Sequence, residues 1–312
     1  MKTKGTLFTV PVIISSVLLA AIILSAALAP VLATHDPDKL SLEETLRQPS
    51  LDHLLGTDKT GRDIFSRLLY GASTTLLSAL GVVAISVIIG VPLGLLSGYF
   101  GGWIDNVIMR IEDVILAFPA LLLAFVFVAS FGRGVTNAIL ALGIVYVPMI
   151  SRLSRSLTLT EKHNTYVESA RSIGYSNARI LFRHILPNCV STMLVQLTLD
   201  IGYAILDLSA LSFLGLGVQP PTSDWGAMLE ESRIFLRTNP VMAIAPGIAI
   251  IITVVSLNIL SDGLQMYLDP AQRKLLKLDR KNFQKSWEQT ACWTLLALPP
   301  TLSAATTTSD GR

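Results

Sequence analysis

The sequence predicts an all-α integral membrane protein with about six transmembrane helices. Of its 312 residues, 51% are hydrophobic and 15% are charged, and the mean hydropathy is +0.59. The apolar residues lie in long blocks, and blocks of about 18 residues or more with few charges are typical of bilayer spans. Because helices satisfy their own backbone hydrogen bonds, we expect these blocks to be helical.

The first block, residues 10–33, follows a short segment that contains Lys2 and Lys4. Ala27-Leu28-Ala29 weakly resembles a signal-peptide cleavage site, but the block is long enough to span, so we expect an uncleaved anchor. Five further blocks have the length of a span, and the fourth block of the chain is the shortest and contains Pro148. These five blocks are 75–96, 107–129, 138–153, 190–212 and 241–260.

Basic residues are distributed unevenly among the connecting segments. Arginine and lysine outnumber acids between the fourth and fifth blocks and after the sixth, whereas acids outnumber bases in residues 34–74 and 213–240. Since cytoplasmic loops are rich in lysine and arginine, we expect both termini to be cytoplasmic. The predicted organisation is a cytoplasmic N-terminus (1–9), a first span (10–33), an extracytoplasmic segment (34–74), a five-helix core (75–262) with a cytoplasmic loop (156–188), and a cytoplasmic tail (263–312).

Several function classes are disfavoured by composition. A formal net charge of +2 provides no basic surface for nucleic acid. Cys189 and Cys292 form no disulfide or metal-binding pattern, and the histidines are scattered outside the apolar blocks, so no metal site is predicted. Residues 56–62 have the glycine spacing of a phosphate-binding loop but lack the lysine and hydroxyl residue that follow it. We therefore expect this chain to bind no nucleotide or other cofactor.

The loop between the fourth and fifth blocks has an organised pattern. It predicts a short helix, a break at a glycine, a second short helix and a proline before the next span. Such an elbow suits docking into a partner's cleft, while an amphipathic loop lying on lipid headgroups is the alternative. The residues concerned are Glu168, Ser169, Ala170, Gly174, Ile185, Leu186 and Pro187.

These residues resemble the Glu-Ala-Ala loop of ABC importer permeases, with Ser169 in place of the first alanine. A second resemblance lies in residues 55–67, Leu-Gly-Thr-Asp-Lys-Thr-Gly-Arg-Asp-Ile-Phe-Ser-Arg. This stretch is similar to one in the dipeptide, oligopeptide and nickel permease family, second-subunit type. Residues 211–217 with Pro220-Pro221 and Trp225-Gly226 are also similar to that family, as are residues 268–270. The motif residues are Gly56, Thr57, Asp58, Gly61, Arg62 and Asp63, and the likeness extends over about residues 7–278.

The resemblance implies a non-catalytic permease subunit in a bacterial inner membrane. It implies four kinds of partner: a second homologous permease, two cytoplasmic ATPases that use ATP and Mg, an extracytoplasmic substrate-binding protein, and membrane lipid. In that family the loop at Glu168 forms the helix that couples the permease to the ATPase. The implied cargo is nickel or a nickel chelate, or short peptides. The residues after about 279 depart from the family pattern, and we assign them no function.

Two acids in the fifth block are candidates for the translocation pathway. Asp200 and Asp207 are seven residues apart and therefore share one helix face. An unpaired carboxylate in the bilayer costs at least about 2.5–3.5 kcal/mol, so this face is expected to point into protein or water. Either the acids attract a cationic cargo, or they bond neighbouring polar groups of the Tyr203, Thr198 or Ser209 type. The setting of Asp200 favours nickel over peptides.

Gly90, Gly94 and Gly98 lie on one face of the second block. Small residues at this spacing allow close helix approach, so we expect packing against another span or a second permease. A stand-alone channel or secondary transporter is the alternative class, but the sequence has no clear internal repeat. An intramembrane aspartyl protease is disfavoured because its two acids would lie on different spans.

Overall fold

A computed structural model describes residues 10–268, and residues 10–265 belong to one compact unit. The predicted cytoplasmic N-terminus, most of the predicted tail and the motif residues 269–270 lie outside the described residues. The helices are α1 (Val10–Ala27), α2 (Ala29–Leu32), α3 (Ile64–Phe100), α4 (Gly102–Leu116), α5 (Ala120–Phe131), α6 (Val135–Glu161), α7 (Thr165–Ser172), α8 (Asn177–Ile180), α9 (Leu186–Phe213), α10 (Trp225–Ser232) and α11 (Val241–Leu268). A 3-10 turn covers Leu42–Glu44 and a π-turn covers Leu181–Ile185.

The all-α fold class is confirmed. Within the described residues, five helices are long and apolar enough to cross a membrane, or six if α4 and α5 together form one broken span. The strand-like pairing seen in this part of the chain is one isolated bridge between Thr57 and Asp63. Apolar blocks of this length have no alternative in a bilayer that would satisfy their backbone groups.

The third predicted span is not a continuous helix, and this expectation was wrong. Residues 107–129 contain most of α4 and most of α5. The axes of these two helices differ by 83°. Pro119 lies at the N-terminal boundary of α5. Because proline lacks a backbone N–H and disfavours helical geometry in the residue before it, it ends the first helix and starts the second.

Helix α3 has 37 residues. At about 1.5 Å per residue it measures roughly 55 Å, well beyond the ~30 Å hydrocarbon core. It begins at Ile64, long before the predicted start at residue 75, so its first turns extend out of the span. It therefore connects the two ends of the bundle.

The glycine face of α3 packs against α6. A Cβ added to Gly90, Gly94 or Gly98 would lie 2.9, 2.2 or 2.8 Å from a backbone oxygen of α6. These oxygens belong to Val147, Ser151 and Arg155, which also recur every four residues. The three glycines thus allow direct backbone contact along several turns, and α3–α6 is the most extensive helix contact in the described unit.

Candidate functional site

One candidate region lies at the start of α3. It comprises residues 34–63 and 214–239, here called the cap. Gly56 and Gly61 have φ values of +80° and +77°, which favour glycine. A Cβ at these positions would meet the Arg47 carbonyl oxygen at 2.3 Å and the Ser41 carbonyl oxygen at 1.8 Å. The two glycines therefore let the motif fold tightly against residues 41–47.

Asp58 lies at the centre of this loop. Its Oδ1 accepts hydrogen bonds from the backbone N–H of Thr60 at 2.7 Å and of Arg62 at 3.0 Å. The loop's amides therefore bind the protein's own carboxylate. These two amides are therefore already engaged by Asp58 and are not free to bind a phosphate group.

Two buried arginines join Asp58 to α10. Arg62 Nε lies 2.8 Å and Arg67 Nη1 lies 2.5 Å from Asp58 Oδ2. The same guanidinium groups contact Glu231 on α10, at 3.1 Å from Arg62 and 2.7 Å from Arg67. All four side chains are buried. Buried charges require such pairing, so the network fixes α10 to the first turn of α3.

The charge of Asp58 follows from this network. Burial by itself raises the pKa of Asp58, but the charge of Arg67, the hydrogen bond from Thr60 and the contacts of Arg62 together lower it below its ordinary value. Asp58 is therefore a carboxylate in the folded protein at neutral pH, and it holds both arginines by charge-assisted hydrogen bonds.

The remaining motif residues, Asp63 and Thr57, bond the start of α3 and the segment before the motif, respectively. Asp63 caps the helix by accepting from the Ser66 backbone N–H at 2.8 Å, an arrangement that satisfies a free helix donor. Thr57 Oγ1 donates to the Glu44 carbonyl and accepts from the Arg47 backbone N–H at 2.9 Å. The motif is therefore a buried framework for the cap.

A second contact anchors α10 to α3. Asp224 caps α10 by accepting from the Ala227 N–H at 3.1 Å, and it accepts from Thr75 Oγ1 at 2.7 Å. Trp225 Nε1 donates to the Leu68 carbonyl at 3.0 Å. Burial raises the pKa of Asp224, although Thr75 and the Ala227 amide oppose the rise. Helix α10 of the cap is thus joined to α3 both through Glu231 and through Asp224 and Trp225.

The predicted elbow lies near the far end of α3 and comprises residues 165–185. It consists of α7, a turn at Gly174 with φ +86°, and α8. The second helix does not stop before the next span, because α8 continues through the π-turn into α9, and Pro187 lies in the first turn of α9. A proline there needs no hydrogen-bond donor.

One side of the elbow is buried. Val167, Ala170, Ile180 and Ile185 form a hydrophobic cluster with the last turns of α3, including Leu95. Tyr99 Oη of α3 donates to Asn177 Oδ1 at 2.9 Å, and the Arg171 guanidinium lies 5.1 Å from the centre of the Tyr99 ring. The elbow is therefore coupled to α3 and α9 by packing.

The opposite side of the elbow is open. Glu168, Ser169 and Pro187 are exposed, Leu186 is partly buried, and no described atom lies within 4 Å of a Cβ placed on Gly174. Ile173 beside it is 71% exposed. An exposed apolar side chain at a rigid turn is a suitable contact for a partner protein.

The two acids of α9 have different kinds of hydrogen-bond partner. Asp207 Oδ2 accepts from Tyr146 Oη of α6 at 2.7 Å, and Asp200 Oδ1 accepts from Gln196 Nε2 at 2.9 Å. The partner of Asp207 is thus a tyrosine hydroxyl on a neighbouring helix, as expected in type, whereas the partner of Asp200 is a glutamine of its own helix. Asp200 is 3% exposed, and its Oδ2 has no hydrogen-bond partner among the described residues.

The sequence-predicted residues thus form three separate groups rather than one site. The motif lies at the start of α3, the elbow near its end, and the acids between them on α9. Sequence reasoning missed Glu231, Asp224 and Tyr146. Glu231 lies 169 positions from Arg62, and no local spacing could have connected them.

The comparisons with known proteins define the class. The family model for the binding-protein-dependent transport system inner membrane component matches residues 90–274. The helical membrane fold together with this match identifies a permease subunit of an ABC importer, which is a non-catalytic, multi-pass membrane component. The chain belongs to the binding-protein-dependent transport system inner membrane component family, and the predicted resemblance is confirmed.

The curated relatives are similar over most of their length. The chain is 41% identical to the dipeptide transport system permease protein DppC of Alkalihalophilus pseudofirmus, over 84% of this chain and 86% of that protein. It is 49% identical to the glutathione transport system permease protein GsiD of Pectobacterium atrosepticum, over 71% of this chain and 74% of that protein. A GsiD of Escherichia coli is also 49% identical, over 71% and 73%.

A solved structure shares the fold. A chain of the MetNI methionine ABC transporter, in an inward-facing conformation, superposes with a TM-score of 0.55 at 17% identity. The superposition covers 66% of this chain and 98% of that chain.

Proposed function

We propose that this chain forms half of the pore of an ATP-driven importer for short peptides. The observation that carries the cargo class is the similarity to dipeptide and glutathione permeases over more than two thirds of the chain. Glutathione is itself a tripeptide. The nickel alternative rests on the setting of Asp200 alone, so we place it second.

The proposed assembly contains a second homologous permease, two cytoplasmic ATPases and an extracytoplasmic binding protein. The loaded binding protein docks on the cap, and the ATPases receive the elbow. This chain binds no cofactor, and the ATPases bind ATP and Mg. In this orientation both termini and the elbow are cytoplasmic, as the distribution of lysine and arginine favours.

The contacts of the elbow support its role in coupling. Its open side presents Ile173 and Gly174, while its buried side packs on Leu95 of α3. A shift of the elbow therefore displaces α3 and α9 rather than a flexible loop. Packed helix interfaces convert such small shifts into discrete rearrangements, which fits alternating access driven by the ATPases.

Two matched substitutions separate the two proposed docking surfaces. Ile173 on the elbow and Ile234 on the cap are 71% and 77% exposed. In a co-expressed importer, Ile173→Asp is expected to reduce ATPase recovery with the permease by about tenfold or more. Ile234→Asp is expected to leave that recovery unchanged and to reduce stimulation of ATP hydrolysis by the binding protein.

The measurements are pull-down of the ATPases and ATP hydrolysis in lipid nanodiscs, with and without the binding protein. Membrane insertion of both variants is checked by yield and by size-exclusion elution. Retained ATPase association together with retained transport in Ile173→Asp would exclude the elbow as the coupling contact. Equal loss of both activities in both variants would show that the two surfaces are not specific.

The cargo is tested by uptake. Cells with and without this gene are given a labelled dipeptide, labelled glutathione and radioactive nickel, before and after ATP depletion. We expect cells without the gene to lose ATP-dependent uptake of the dipeptide or of glutathione and to keep their uptake of nickel. Loss of nickel uptake alone would reverse the order of the two cargo proposals.

Asp200 is proposed to line the pathway. Its buried Oδ2 without a described partner is the supporting observation. Asp200→Asn keeps the shape and removes the charge, and we expect it to reduce uptake while assembly is unchanged. Gln196→Ala is the control that removes the neighbouring bond and keeps the carboxylate. Normal uptake by assembled Asp200→Asn would rule out this role.

A further inference from the structure

A cluster of metal-ligating side chains lies within the cap. His35, His53 and Asp63 each offer one ligand atom, and these three atoms lie within 4.8 Å of one another. His35 follows α2, His53 lies in the loop before the motif, and Asp63 caps α3. The three residues are far apart in sequence, so folding brings them together.

The distances fit a divalent ion. His53 Nδ1 and Asp63 Oδ1 are 3.0 Å apart, close to the roughly 3.3 Å between two ligands of a tetrahedral ion with bonds of about 2.0 Å. A metal can therefore replace the proton between these atoms with little movement. His35 is exposed, and the centre of its ring lies 4.5 Å from the centre of the His53 ring.

The surrounding contacts have the organisation expected around metal ligands. His53 Nε2 lies 3.6 Å from Glu44 Oε2, as in sites where a carboxylate orients a metal-bound imidazole. The non-ligating oxygen of Asp63, Oδ2, accepts from the Ser66 N–H at 2.8 Å and from Ser66 Oγ at 2.7 Å. Oδ1 of Asp63 is thereby left to face the histidines.

The ring of His35 is also held in a suitable tautomer. Its Nδ1 lies 3.1 Å from Thr34 Oγ1, and that hydroxyl in turn donates to Asp63 Oδ2 at 3.3 Å. In this arrangement Nδ1 carries the hydrogen, which leaves the Nε2 lone pair available. His35 also lines an open polar cavity of about 600 Å³ with Asp36 and Tyr70, and this cavity provides an entry path for the ion.

We propose that His35, His53 and Asp63 bind one divalent transition-metal ion, with Glu44 as the group that orients His53. Two imidazoles and one carboxylate form a ligand set that suits Zn²⁺, Co²⁺ or Ni²⁺, and a water completes a tetrahedral site. The ion joins the segment after α2 to the first turn of α3. The proposal is independent of which cargo the importer carries.

Cobalt is the probe for this site, because tetrahedral Co²⁺ with nitrogen and oxygen ligands absorbs visible light. The full chain is purified without a polyhistidine tag, treated with a chelator and titrated with Co²⁺. We expect one Co²⁺ per chain, displaced by Zn²⁺, and a rise in the thermal unfolding midpoint when Zn²⁺ is added.

His35→Ala is the main variant, because the exposed ring is expendable for folding. We expect it to weaken Co²⁺ binding by more than 100-fold, and Glu44→Gln to weaken it by about 10-fold. His163→Ala, an exposed histidine beside the elbow, is the matched control and should bind like the unaltered chain. His53→Ala is informative only if the variant elutes as a folded protein.

Absence of a cobalt spectrum in the unaltered chain would overturn the proposal. So would equal binding by His35→Ala and His163→Ala, since the ion would then lie elsewhere. Binding that His35→Ala removes without any change in the Zn²⁺-dependent midpoint would retain the site but refute its role in joining α2 to α3.

Discussion

The cap and the elbow lie near opposite ends of α3, and they are stabilised in different ways. In the cap, the polar groups are buried and paired within the chain, as in the network of Asp58, Arg62, Arg67 and Glu231. In the elbow, one side is a small hydrophobic cluster, and the other side is open, with Ile173 exposed.

The difference lies in the internal contacts that hold each region, since both regions also expose an apolar side chain, Ile234 in the cap and Ile173 in the elbow. Buried ion pairs are costly to break, so the network holds α10 of the cap against the first turn of α3. In the proposed assembly, the binding protein would meet a cap held by buried charges, and the ATPase would meet an elbow held by apolar packing.

Among these substitutions, loss of Arg67 in the cap is expected to lower the stability most. Arg67→Ala leaves Asp58 and Glu231 buried with less positive charge, and removing one member of a buried pair costs about 3–5 kcal/mol. We expect the thermal unfolding midpoint in detergent to fall on the order of 10 °C. Arg47→Ala, which removes a pair with Glu44 in which the arginine side chain is 52% exposed, is the control and should change the midpoint little. A small effect of Arg67→Ala would mean that the network does not stabilise the cap.

The close packing of α3 against α6 is tested at Gly94. A Cβ at Gly94 would lie 2.2 Å from the Ser151 carbonyl oxygen, so Gly94→Ala must separate the helices and is expected to cost about 1–3 kcal/mol. At Gly247 the nearest atom lies at 4.0 Å, and Gly247→Ala should be neutral or stabilising because alanine favours helices. Thermal unfolding of both variants is the measurement. Equal midpoints for the two would show that α3 and α6 are not tightly packed there.

The stability of the cap is expected to depend on pH through two opposing groups, because the pKa of Asp58 is lowered and the pKa of Asp224 is raised. The folded pKa of Asp224 is raised above its ordinary 3.8, so its contribution to stability is complete below 3.8 and is lost as pH rises through the folded pKa. The lowered pKa of Asp58 gives a contribution that is present above its ordinary 3.8 and is lost as pH falls through the folded value. We expect Asp224→Asn to remove the decrease in midpoint above pH 3.8. An unchanged profile would assign that decrease to another group.

The smallest effect is expected in the elbow. Asn177→Ala removes the bond from Tyr99, a single partly buried contact, and such a bond contributes about 0.5–1.5 kcal/mol. The midpoint should fall by only a few degrees. A loss as large as that of Arg67→Ala would show that the elbow is as rigidly built as the cap, and the contrast between the two ends would disappear.

Local patterns in the sequence predicted much of this structure. Apolar blocks predicted the spans, because length and hydropathy are properties of consecutive residues. The spacing of Gly90, Gly94 and Gly98 predicted a packing face, and Gly174 predicted the turn of the elbow. The sequence pattern did not predict that α3 would begin at Ile64 or that the third span would bend by 83°.

The sequence alone was enough to place the apolar blocks in helices, to locate the turn of the elbow and to indicate the family that the chain resembles. Only the tertiary structure decided that the glycines meet α6, that Glu231 joins Arg62 and Arg67, and that His35 and His53 lie beside Asp63. The physical reason is that helical periodicity and backbone preferences act over a few residues. Pairing of buried charges and ligand atoms depends on residues that only packing brings together.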